Sequence, residues 1–454
     1  MDRYKAVDRR ASAVGRVGCA LALLLCVASP QARADVGGPV LDHDFPDPDV
    51  VRVGATYHAY ATNGDGHNIR HATSRDLVRW ELDADDVLPA LGGWAALEPR
   101  GKVWAPEVYD NGDGFTMHYT ARDEASGRQC VGVAVADSAD GPFTPVGDRP
   151  LVCPDTEGGA IDASSHTEGD QRYLLWKNDG NCCSRPTWIH LQPTSWDGTR
   201  VTGPPVRLIT GDLDWEGDLV EAPTLVKRAG RYVLLYSADA YDGEGYKIGY
   251  AVADRLNGPY TKAATPLVTT ESVRRTVVGP GGQDVVTGPD GRDHLLFHGW
   301  SPLGERRVMY RADLGFADGG HPVVRGSKVR HQAERAVVHH ALVRDADRAQ
   351  EGRAVGHIDH ADSHVEFRVF AASGGRHTLT VRFGNGSLDP AGVPSPASHA
   401  LTVNGRAAGD VRYPHTGWDQ WSSVEAPLDL REGWNTVRLS KGDLYAELDS
   451  VEVD

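Results

Sequence analysis

A chain of 454 residues is too long for one compact core and predicts two domains. Hydrophobic residues make up 40% of it, and 52 glycines with 27 prolines imply many turns, which suits strands better than helices. Its formal net charge of −16 argues against nucleic acid or anionic lipid as partners and leaves neutral polymers.

Residues 1–34 read as a secretion signal. Arg3, Lys5, Arg9, Arg10 and Arg16 form a basic leader, Cys19 to Ala28 an apolar core, and Ala32-Arg33-Ala34 a small-residue cleavage site. The apolar run is far short of the ~20 residues a membrane span needs. Leu25 before Cys26 also argues against a lipoprotein. The mature chain is therefore expected outside the cell. Residues 1–34 carry six positive and two negative side chains, so the mature net charge becomes −20. Cys130, Cys153, Cys182 and Cys183 remain, in a compartment that permits disulfides. Cys130 is expected to pair with Cys153 across neighbouring strands. Cys182 and Cys183 either bridge as neighbours or stay reduced. The cysteines lack paired histidines, so no zinc site is expected at them.

A repeat follows. A short apolar start, a Gly/Asp-rich turn and a second apolar strand recur five times, beginning at Asp47, Ala105, Asp162, Ala222 and Gly282, with spacings of 58, 57, 60 and 60 residues. Third strands open in step at Ala72, Ala134, Ala251 and Ala312. A unit of this length holds about four antiparallel strands. Five units arranged radially predict a five-bladed β-propeller over 35–328, whose first strands line a central channel. After Val329 the period is lost. Alternating segments at Val365, His377, His399 and Asn435 predict a separate β-sandwich over 329–454. The fold class expected is all-β.

The repeat gives the acidic residues a geometry. Asp47 and Asp162 occupy one equivalent position on the innermost strands, and Glu221 sits one residue before it in the fourth unit. These three carboxylates must face one another across the channel mouth. Clustered like charges raise each other's pKa, which a core does not retain for stability. Such a cluster suits hydrolysis of a glycosidic bond, where one carboxyl stays protonated and another ionised. An Asp in an Asp-Pro dipeptide taken alone is more often a turn cap.

Phe45-Pro-Asp-Pro-Asp-Val, Trp104-Ala-Pro-Glu-Val, Ile161-Asp-Ala with Tyr173-Leu-Leu-Trp-Lys, Glu221-Ala-Pro-Thr-Leu with Tyr232-Val-Leu-Leu-Tyr-Ser, and Phe297-His-Gly-Trp occur in this order at blade spacing. In these motifs residues 39–325 resemble glycoside hydrolase family 43, which contains arabinofuranosidases, β-xylosidases and arabinanases. The resemblance implies a five-bladed propeller that inverts the anomeric carbon. Asp47 would be general base, Glu221 general acid and Asp162 the carboxylate that tunes the acid and holds it protonated. Arg307 resembles the family's late sugar-binding arginine, and His298 lies in the last motif. Gln283 stands where many members carry a histidine near a central ion, so no cofactor is expected for catalysis. Phe45, Trp94, Trp104 and Trp300 are candidate stacking surfaces for a sugar. Trp104 is favoured as pocket wall, Trp94 is open between pocket and packing, and Trp176 is expected in the core.

Residues 331–454 resemble carbohydrate-binding modules of families 6 and 35, through Glu334, Val355-Gly-His-Ile-Asp, Leu401-Thr-Val-Asn-Gly, Thr416-Gly-Trp-Asp-Gln-Trp and Leu448-Asp-Ser-Val-Glu-Val-Asp. The resemblance implies a structural calcium held by Glu334 and Asp449. Gln332 stands where many relatives have another acid. Trp418 or Trp421 would offer a sugar platform, with Asp443 and Tyr445 beside it. Taken together, the residues imply a secreted, monomeric enzyme acting on arabinose- or xylose-containing plant cell-wall polysaccharide or its oligosaccharides. An exo-acting α-L-arabinofuranosidase is favoured over a β-xylosidase or endo-arabinanase. A non-catalytic lectin and a retaining fructan-cleaving propeller are the rivals from other classes.

Overall fold

The computed structural model describes residues 36–99, 102–316, 319–324, 329–350, 352–371, 374–431 and 433–453. The predicted secretion signal lies outside them. Five four-stranded antiparallel sheets follow one another along the chain, each ordered in sequence from its innermost strand outward. The inner strands are Asp49–Val53, Trp104–Asp110, Ala160–Glu168, Val220–Arg228 and Val278–Thr287. Second strands such as Phe115–Arg122 and Arg231–Ala238 are buried along almost their whole length. Both faces of each are covered, which buries polar residues such as Thr116 and His118 along with the apolar ones. The ring closes where the segment before the first blade bonds the third strand of the fifth: Val40 N donates to Met309 O (2.9 Å) and Phe45 N to Arg307 O (2.8 Å).

The repeat alignment has a backbone counterpart. Asp47, Ala105, Asp162, Ala222 and Gly282 all take positive φ, between 41° and 56°. Only glycine adopts that region freely, so Ala105 and Ala222 hold it at a cost of about 1–3 kcal/mol each. Side chains reached through the fold cap the amides at four of the five. Asp47 N donates to His298 Nδ1 (3.0 Å), Ala105 N to Thr62 Oγ1 (2.9 Å), Ala222 N to Asp162 Oδ2 (3.0 Å) and Gly282 N to Ser237 Oγ (2.9 Å).

Two residues further along, buried acids tie blade to blade. Asp49 Oδ2 accepts Val108 N (2.8 Å), Glu107 Oε1 accepts Ser165 N (2.7 Å) and Asp284 Oδ2 accepts Val50 N (3.0 Å). Residues 47–49, 105–107, 162–164, 222–224 and 282–284 line an axial cavity of about 40 Å³. That is room for about one water, so a sugar ring has to lie at the channel mouth.

The chain beyond Val329 forms a six-stranded and a five-stranded sheet. They enclose a separate apolar core that includes Val365, Phe367, Phe383, Tyr413, Leu439 and Val451. Cys130 is bonded to Cys153 and Cys182 to Cys183.

Candidate active site

Each of the three carboxylates meets a different environment. Asp47 Oδ2 accepts the Thr62 hydroxyl at 2.7 Å, and its Oδ1 lies 3.6 Å from Arg307 Nη1 and 3.3 Å from His298 Nδ1. Burial opposes ionisation of Asp47, but the Arg307 guanidinium and the Thr62 hydrogen bond outweigh it and hold the carboxyl well below the usual range. Burial and the nearby Arg307 lower the His298 pKa and favour the neutral ring. Asp47 is therefore a carboxylate at any working pH.

Glu221 sits on the opposite side of the electrostatic balance. Lys177, fully buried, donates to Oε2 at 3.0 Å, and the Tyr246 hydroxyl donates to Oε1 at 2.9 Å. Burial opposes the charge on Lys177, yet Glu221, Asp162 and Asp179 outweigh it and raise its pKa. Asp162 is pushed up to about 7, first by burial and then by the Glu221 charge, against the opposing pull of Lys177. The Asp162 carboxyl thus keeps its proton up to about pH 7.

The remaining predicted site residues divide. Arg307 joins the site, with its guanidinium 4.7 Å from the centre of the Tyr241 ring. Trp104 is half-buried at the start of its inner strand, with Lys102 Nζ 5.7 Å from its ring centre. His298 is fully buried behind Asp47 and stacks on Tyr246, so it orients the carboxylate and presents no face to a sugar. Gln283 lines the axis, but its amide is committed to Ser237 Oγ (2.9 Å) and Ala222 O (2.6 Å), bracing the fourth blade against the fifth. Phe45 is fully buried in an apolar cluster with Tyr57 and Met309, and Trp94 packs on Tyr119 at 6.1 Å in the core of the second blade. Neither is a pocket wall. Trp176 stacks on His190 in the core, as its strand position implies.

Lys177, Tyr246 and Thr62 are the site groups that sequence reasoning did not single out. For Lys177 a signal existed, because a lysine ending the run Leu174-Leu175-Trp176 must be buried and therefore paired. For Tyr246 and Thr62 none did.

In the C-terminal region, Trp418 and Tyr445 are 47% and 53% exposed. The backbone between them is shared: the Trp418 ring closes on Gly386, and Ser387 Oγ donates to Tyr445 O at 2.7 Å. Trp421 instead donates through Nε1 to Asp347 O at 3.0 Å. Asp449 is fully buried, forms an ion pair with Arg382 and accepts the Gln350 amide. The guanidinium supplies positive charge there.

A five-bladed propeller with an ionised Asp47 near a buried Asp162 that keeps its proton up to about pH 7 defines a glycosidase class of site. Residues 36–316 match the model of glycosyl hydrolases family 43, and the chain belongs to that family. It is 29% identical over 288 residues to a xylosidase/arabinosidase 43B of Humicola insolens, a match spanning 59% of this chain and 49% of that protein. It is also 29% identical over 256 residues to an extracellular exo-α-(1→5)-L-arabinofuranosidase of Streptomyces chartreusis, covering 53% and 75% of the two chains. The chain thus spans about half the length of the first of these relatives. Among solved structures, a thermostable family-43 glycoside hydrolase superposes with TM-score 0.55 at 30% identity, covering 62% of this chain and 92% of that one.

Proposed function

We propose that the protein is an inverting glycoside hydrolase of arabinose- or xylose-containing plant polysaccharide, most simply an exo-acting α-L-arabinofuranosidase. The observation that carries this is the electrostatic split at the channel mouth. Asp47 is held ionised by Arg307, and Asp162 keeps its proton up to about pH 7. Asp47 then takes a proton from the attacking water, and Glu221 delivers a proton to the leaving oxygen. Asp162 sets the site's affinity for that proton and caps the Ala222 amide beside Glu221. Arg307 and Trp104 are the groups best placed to hold the sugar.

The preference for arabinose rests on the relatives, two of which are named as an arabinosidase or an arabinofuranosidase. Secretion is supported by the Cys130–Cys153 bond, which suits an oxidising compartment. The exposed pair Trp418 and Tyr445 supports a sugar platform on the C-terminal region, which would concentrate the enzyme at its polymer.

A substrate panel tests the reading. Nitrophenyl α-L-arabinofuranoside should be cleaved faster than nitrophenyl β-D-xylopyranoside, and Glu221→Gln should abolish turnover of unactivated arabino-oligosaccharides. Release of short oligomers from linear arabinan would assign endo action instead. No hydrolysis of any pentoside would remove the enzymatic reading.

A further inference from the structure

Away from the channel, two imidazoles and a carboxylate converge at the junction of the first two blades. His58 lies on Thr56–Ala61 and His71 on the adjacent Arg70–Ser74. Asp140 belongs to the turn between the third and fourth strands of the second blade, Gln129–Ala136 and Thr144–Pro145. We propose that these three residues bind one divalent transition-metal ion of the zinc class, clipping the first blade to the second.

The geometry suits an ion. His58 Nδ1 lies 3.1 Å from His71 Nε2 and 3.3 Å from Asp140 Oδ1, and the three ligand atoms fall within 4.8 Å of one another. Tetrahedral zinc with bonds of about 2.0–2.1 Å places its ligand atoms about 3.3 Å apart. His71 Nδ1 faces Asp83 Oδ2, which only accepts, so the ring proton sits on Nδ1 and Nε2 presents a lone pair. A carboxylate behind a metal-binding imidazole is the usual outer support of such ligands. Asp140 Oδ2 accepts Ser138 Oγ at 3.2 Å, which leaves Oδ1 for the imidazoles. Tyr60 fixes the turn by donating to Ala139 O at 2.5 Å, while its ring stacks on His71 at 4.9 Å.

A hydrogen-bonded relay from His58 through His71 to Asp83 accounts for part of this arrangement, but not all of it. His71 Nε2 and Asp140 Oδ1 are both acceptors, and the single proton on His58 Nδ1 satisfies one of them. A cation satisfies all three lone pairs at once. Two nitrogens and one oxygen select zinc, cobalt or nickel over calcium and magnesium. Asp140, 63% exposed at its side chain, leaves an entry path and an open position for water.

The test is a Co²⁺ titration of the full chain after chelation and dialysis, read by visible absorption, with Zn²⁺ as competitor. One Co²⁺ per chain should give the absorption of a low-coordinate nitrogen–oxygen site, displaced by Zn²⁺. Asp140→Asn should weaken this binding at least about tenfold, and Asp83→Asn by about 10–100-fold. Both side chains are substantially exposed, at 63% and 43%, so circular dichroism should show an intact fold. Asp362→Asn, in the exposed His339, His340 and Asp362 group of the C-terminal region, should leave the titration unchanged. Absence of Co²⁺ binding, equal affinity in Asp140→Asn and Asp83→Asn, or loss of the signal in Asp362→Asn overturns the proposal and leaves a hydrogen-bonded relay.

Discussion

Lys177 Nζ lies 3.0 Å from Glu221 Oε2, with no part of the lysine side chain exposed and 11% of the glutamate's. The ammonium beside Glu221 also pulls against the proton on Asp162, and so sets how tightly the site's carboxyls hold it. Removing the ammonium should do two things. Lys177→Met leaves the buried carboxylates without their counter-charge, at a cost of up to about 3–5 kcal/mol in urea unfolding. It should also move the alkaline limb of the kcat/KM profile to higher pH, since the carboxyl pair then holds its proton more tightly. An unmoved limb would detach Lys177 from the acid.

Asp162→Asn acts in the opposite direction. Without the second carboxylate, Glu221 loses the repulsion that retains the proton, and Lys177 remains beside it. The alkaline limb should fall below the value of about 7 that Asp162 carries in the resting site, and activity at pH 7 should drop. A pH–rate profile identical in shape to the parent's would show that Asp162 is only structural.

Asp47→Asn removes the base while keeping a side chain that can still accept from Thr62. The expected loss in kcat is about 10²–10⁴-fold with little change in thermal midpoint. A loss of stability in step with activity would instead make Asp47 a turn residue.

Much of the site was legible because the repeat fixes backbone conformation as well as position. The five aligned residues share positive φ, so alignment alone brought Asp47, Asp162 and Glu221 to one level. The direction in which side chains arrive from other strands is not encoded in that alignment. Lys177 and Tyr246 reach Glu221 from the third and fourth blades, and a strand pattern does not specify which neighbour they meet. Trp94, left open between pocket and packing by its sequence, packs. Glycines beside it suggested an open loop, but Gly92 N bonds the Tyr119 hydroxyl and folds the loop over the core. Arg382, distant in sequence, pairs with Asp449, a contact that no motif in the sequence indicated.

The inner ring of acids predicts a stability profile. Burial raises Asp49 well above the usual range, Glu107 to about 7 and Asp284 to about 6, with repulsion from Asp284 adding to it at Asp49 and Glu107. Each folded-state pKa exceeds its unfolded value, so the folded chain binds more protons between about pH 4 and 7. These groups therefore stabilise at low pH, and their contribution is lost as pH rises through that window. Asp49→Asn, which keeps an acceptor for the Val108 amide, should flatten the decline of thermal midpoint between about pH 4.5 and 7.5. An unchanged slope would show that the ring does not set the pH dependence.

The most direct measurement is proton NMR of the first sugar released from an unactivated arabino-oligosaccharide, run with the parent and Glu221→Gln. Inversion with Glu221 as acid predicts that the first anomer formed is opposite to the substrate's linkage, and that Glu221→Gln slows release by at least about 10²-fold. A first-formed anomer of retained configuration, or an unslowed Glu221→Gln, would contradict it.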